Sequence, residues 1–133
     1  MIIVYSYGYV NTFTKRSIVR RIVVRHIKST LMMKESDWKH FKRVKEIALE
    51  RFCAEAMSDF EAAIHNEDPS NHGRYLYLYK LVENADKRLS LLFDGHSRSR
   101  AQLQLTLFRS EGLVKTHELE GMSDELLKAT EPR

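Results

Sequence analysis

Cysteine is all but missing from this chain of 133 residues: Cys53 stands alone, so no disulfide can form within it. That excludes the disulfide scaffold of small secreted domains and leads us to expect a reducing, cytoplasmic setting. Proline and glycine are nearly as scarce, with 2 and 5 copies, which argues against turn-rich β-sandwiches and low-complexity sequence. Gly8, Gly73, Gly95, Gly112 and Gly121 stand singly and make neither a phosphate loop nor a dinucleotide fingerprint. Long apolar runs are also lacking. The apolar opening is broken by Asn11 and again by Lys15 and Arg16, so no stretch of about 18 apolar residues is available to cross a bilayer as a helix.

Carboxylates are missing from the first 34 residues, where Lys15, Arg16, Arg20, Arg21, Arg25, Lys28 and Lys34 give a charge of +7. The remaining 15 basic and 18 acidic residues leave residues 35 to 133 at −3, so the overall +4 conceals two unlike parts. What is present in quantity is hydrophobic residues at 43% and charged residues at 30%, the balance of one folded domain of ordinary size.

Residues 1 to 14 alternate β-branched or aromatic residues with small polar ones and read as a strand in need of a partner. From Lys15 to Met33, Ile18, Ile22, Val23, Val24, Ile27 and Leu31 recur at helical spacing between basic residues. A far clearer helix follows, with Ser36 or Asp37 available as a cap and Trp38, Phe41, Val44, Ala48, Phe52, Ala56, Phe60 and the Ala63/Ile64 pair on its stripe. Its length of about 29 residues corresponds to about 43 Å, more than a compact three-helix core can cover. Polar turn formers and Pro69 end it. A second helix carries Tyr75, Leu78, Tyr79, Val82, Ala85, Leu89, Leu92 and Phe93, and closes at Gly95. Ser97 opens a third segment through Arg109. There Leu103, Leu105 and Leu107 alternate as in a strand, but Gln, Leu, Ala and Arg favour helix, and Gly112 closes it. Two short helical turns, from Thr116 and from Ser123, complete the chain.

The expected architecture is therefore all-α: a long antiparallel helical hairpin with a third helix and short C-terminal helical turns. Residues 33 to 133 form the single helical domain, and residues 1 to 32 are a basic, poorly ordered or peripheral N-terminal extension. Four readings of that extension stand side by side. It suits an arm for nucleic-acid phosphates through Arg16, Arg20, Arg21, Arg25 and Lys28, an amphipathic helix at a membrane surface over residues 15–31, or an organellar transit peptide. The fourth places the natural start at Met32 or Met33.

No catalytic constellation emerges. The six histidines, His26, His40, His65, His72, His96 and His117, show no ligand spacing, and Glu61 with His65 has the wrong interval for a helical di-metal site. No metal or other cofactor is expected. Cys53, between Phe52 and Ala54, reads as a buried structural thiol. Of the tyrosines, Tyr75 and Tyr79 share a helix face that Tyr77 does not, which suggests two packed rings and one exposed ring rather than a stacking platform for bases. The best local candidate is an anion site at Ser97, Arg98 and Arg100, where two guanidinium groups meet the N–H groups of a helix start. The leading functional expectation is a non-enzymatic helical interaction or regulatory protein that binds a protein partner or itself. The alternative is a nucleic-acid-binding protein using the basic arm with Arg98 and Arg100.

Overall fold

The computed structural model describes residues 32–67 and 70–132. The strand expected over residues 1 to 14, the helix expected up to Leu31, and the basic residues Arg16, Arg20, Arg21, Arg25 and Lys28 lie outside the described residues. Among the described residues all regular structure is helical. The hairpin is formed by α1 (Glu35–His65) and α2 (Asn71–Phe93), followed by α3 (Arg98–Ser110), a 3₁₀ turn (Thr116–Leu119) and α4 (Asp124–Ala129).

Helix α1 begins one residue before Ser36, with Lys34 at the cap position and no side-chain cap bond, so neither Ser36 nor Asp37 caps it. Its first turn relies on Glu35 and Asp37 against the helix dipole. The Asp37 carboxylate is turned inward and serves a distant helix end instead, accepting from the Ser123 backbone N–H at 2.8 Å and the Ser123 hydroxyl at 2.6 Å. Ser70 does cap α2, its hydroxyl accepting from the Gly73 N–H at 3.1 Å. Gly95 and Gly112, expected to close α2 and α3, take positive φ of 85° and 70°, a conformation that costs other residues about 1 to 2 kcal/mol.

The alternating leucines of residues 103 to 107 are helical. The Thr106 hydroxyl bonds back to the Gln102 carbonyl at 3.0 Å and Ser110 to Thr106 at 2.9 Å, so these residues need no ladder partner. Alternation is explained by burial on most sides: Gln104, Leu105, Thr106, Leu107 and Phe108 are all buried. α3 is the centre of the core, with α1 and the end of α2 on one side and the C-terminal turns on another.

The core occupies one end of the hairpin. Phe41, Val44, Ala48 and Phe52 enter it from α1, Leu92 and Phe93 from α2, Ala101, Leu105 and Phe108 from α3, and Leu113, Leu119, Met122 and Leu126 from the C-terminal turns, with Met33 also buried. The Phe108 ring lies 6.2 Å from that of Phe41 and 5.0 Å from that of Phe93, which meets Phe52 edge-on. Leu89 is half-buried against this cluster.

One polar clasp holds the C-terminal turns to α1. Arg51 binds both carboxylate oxygens of Glu118, at 2.7 and 3.0 Å, and donates to the Leu113 carbonyl at 2.5 Å. Glu118 also accepts from the Lys115 N–H at 2.7 Å, and its own carbonyl accepts from His40 Nε2 at 3.0 Å. The Arg51 guanidinium first, and the Lys115 N–H second, hold the Glu118 carboxyl down at about 2.

Candidate functional site

The three residues of the expected anion site come together at the start of α3, though not as a vacant cradle. Ser97 takes the cap position, but its hydroxyl faces that of Ser99 at 3.1 Å and makes no cap bond. Arg98 is ion-paired with Glu35 and lies over the Trp38 ring. Arg100 folds against Gly95, where an added Cβ would stand 2.7 Å from its Nη1. Three further residues, none of them expected at this site from the sequence, come from α1: Trp38, against which His96 packs at 5.0 Å, Lys42 at 5.8 Å from the same ring, and Lys45, which donates to the Gly95 carbonyl at 2.8 Å. The Lys45 pKa is lowered by burial first and by the Arg100 charge second, with Asp94 opposing. Lys42, Lys45, Arg98 and Arg100 thus form a basic cluster, part of whose charge is met by Glu35 and Asp94. Helical spacing along α1 could have flagged Lys42 and Lys45 as neighbours of Trp38, but only the fold brings them to Gly95.

The remaining chemistry is sparse. Among the described residues no group of three or more His, Cys, Asp or Glu is placed to hold a metal ion. Cys53 is half-buried against the core, less enclosed than its neighbours suggested. A cleft of about 40 Å³ beside Met33, Asp37, Gln102 and Leu126 falls far below the roughly 300 Å³ of the smallest ordinary ligand sites. No described helix is long and apolar enough to cross a membrane.

The larger feature lies at the other end of the molecule. Beyond Phe52, α1 buries only Ala63, and α2 buries nothing before Leu92. The two helices meet there along a half-buried seam of Ala56 and Ala63 on α1 with Leu78, Leu81 and Ala85 on α2. Met57, Ile64, Tyr75, Tyr79 and Val82 remain 63, 51, 67, 58 and 45% exposed. This reverses the tyrosine expectation: Tyr75 and Tyr79 are the open rings and Tyr77 is half-buried. At 100° per residue, Met57 and Ile64 follow the α1 seam in the same rotational sense as Tyr75, Tyr79 and Val82 follow the α2 seam. In an antiparallel pair, equal rotational sense means the same side. The five residues, with half-buried Cys53 and Phe60, therefore form one apolar face. Glu46, Glu50 and Glu61 of α1 and Asp86 of α2 are exposed on this side by the same spacing, and none of the four makes an ion pair among the described residues.

No protein-family model matches the chain, and comparison with curated proteins and with solved structures found none similar to it.

Proposed function

We propose that this chain is a non-enzymatic helical interaction protein that acts through the outer half of its hairpin. The carrying observation is the exposure of Met57, Ile64, Tyr75, Tyr79 and Val82, which helical spacing groups on one side of the hairpin where it outruns its core. Scattered exposed apolar residues are ordinary, whereas a contiguous patch that includes two tyrosines is typical of binding surfaces. A photo-crosslinking residue placed at Tyr79 in the full chain, within its native cell extract, tests the reading against the same residue placed at exposed Glu55, which helical spacing turns to the opposite side of the hairpin. A defined adduct from position 79 alone, with another protein or a second copy, supports it. Equal yields from the two positions, or none, overturn it.

A nucleic-acid reading is favoured by one observation, the gathering of Lys42, Lys45, Arg98 and Arg100 beside the Trp38 ring. It predicts binding whose logarithm falls linearly with that of salt, with a slope flattened by about two units when Arg98 and Arg100 both become glutamine. Binding that is insensitive to salt overturns this second reading.

A further inference from the structure

The charge around the outer hairpin face specifies the kind of partner it fits. Exposed Glu50, Glu61 and Asp86 lie on the same side as Met57, Ile64, Tyr75, Tyr79 and Val82, with Glu46 one turn further toward the core end, where the same spacing also brings exposed Lys39, Lys42 and Arg43. Helical spacing seats no lysine or arginine of the outer half there: Arg74 falls on the seam, and Lys80 lies beyond the far edge, from where its ammonium pairs with Glu83 and reaches back to 5.9 Å from the Tyr79 ring. From Cys53 to Ile64 the stripe advances about 16 Å, the length of three helical turns. Taking about 200 Å² for a large side chain, the exposed fractions leave about 550 Å² of apolar surface. That is somewhat less than the roughly 800 Å² each partner contributes to a standard interface, which suits one short helix laid along the hairpin.

We propose that this face receives a basic amphipathic helix of a partner protein. The helix packs its apolar stripe over the layers Ile64 with Tyr75, Phe60 with Tyr79 and Met57 with Val82, and turns lysines or arginines at its margins toward Glu50, Glu61 and Asp86. The apolar contacts supply most of the affinity, while the carboxylates, unpaired among the described residues, set the sign of the charge the partner must carry and speed its approach. A second copy docking through this same face fits less well, because it would bring the same carboxylates together. The proposal rests on the interaction reading above and narrows it to one partner chemistry.

The test uses the full chain and two designed fourteen-residue helical peptides of equal apolar pattern, one with lysine and one with glutamate at every polar position. Titration calorimetry is paired with sedimentation of the protein alone. The lysine peptide should bind, with affinity reduced at least tenfold by Y75S/Y79S and also by E50K/E61K, while both variants keep wild-type circular dichroism. The glutamate peptide should bind E50K/E61K better than it binds the wild type. Equal affinity for the two peptides, or lysine-peptide binding untouched by both variants, overturns the proposal. A stable dimer that Y75S/Y79S dissociates also overturns it, since the occupant is then a second copy, but leaves the interaction reading standing. If no peptide binds, the protein is monomeric and position 79 gives no crosslink, the two fall together.

Discussion

Replacing Phe108 by alanine tests where the stability of this molecule resides. Phe108 is fully buried, and its ring contacts those of Phe41 from α1 and Phe93 from α2. Truncation removes the transfer free energy of the ring and leaves a cavity between three elements, each tied by other contacts. The site therefore cannot collapse easily, and the cost should be about 3 to 5 kcal/mol. For a domain near 100 residues each kcal/mol lowers the melting temperature by roughly 4 to 8 °C, so the expected fall is about 12 °C or more. The matched perturbation is Tyr79→Ser, which removes a comparable ring from a site 58% exposed. It should cost under about 0.5 kcal/mol because little apolar surface was withdrawn from water there. Thermal and urea melts followed by circular dichroism give both values. A loss below about 1 kcal/mol at Phe108, or equal losses at the two sites, would refute the assignment of the core to one end of the hairpin.

Acid should act through the Arg51–Glu118 clasp. Glu118 has its pKa lowered from 4.5 to about 2 in the folded chain, so its stabilising contribution is present above its unfolded value and is lost as pH falls from about 4.5 through 2. Glu118→Gln should flatten the acid limb of a plot of melting temperature against pH in that window, and an unchanged limb would show that other carboxylates dominate. Gly95→Ala should lower stability by about 1 to 2 kcal/mol, since φ is 85° and the new Cβ must displace the Arg100 guanidinium. Gly112→Ala meets no atom within 4 Å and should cost only the backbone strain, so a larger loss at Gly112 than at Gly95 contradicts this reasoning.

The elements were legible where a local rule decides them. The period of apolar residues and the polar break before Ser70 give α1 and α2, and Gly95 and Gly112 mark helix ends because only glycine takes their φ cheaply. Legibility ended where a distant segment decides. Asp37 resembles an α1 cap in sequence, yet its carboxylate holds Ser123, a residue 86 positions away. The alternating leucines of α3 suggested two faces, but a helix enclosed on most sides shows no clean 3.6 period. The tyrosines are the most instructive. Spacing correctly grouped Tyr75 with Tyr79, but spacing reveals which residues share a face and not whether anything lies opposite. The candidate anion site was found in the same limited way. Ser97, Arg98 and Arg100 are adjacent in sequence, while Trp38, Lys42 and Lys45 join them only because the turn after α2 returns alongside the start of α1.

Length explains why the molecule has an open end at all. α1 has 31 residues and α3 has 13, about 46 Å against about 20 Å at 1.5 Å per residue, so α3 can shield less than half of the hairpin. Past Phe52 the two long helices are held by a seam of alanines and half-buried leucines, with Arg74 reaching the Ile64 carbonyl at 2.8 Å near the turn. A helical pair with so little buried surface opens locally at much lower free energy than the global transition. Amide exchange should therefore be faster in residues 57 to 64 and 71 to 80 than in residues 41 to 52 and 101 to 108. Any partner that covers Met57, Tyr75 and Tyr79 must slow it there first, because the free energy of binding then opposes each local opening. The exposed face and the weakly held helices beneath it are consequences of the same excess of length, so occupancy of the face is measured directly by the protection of the outer hairpin.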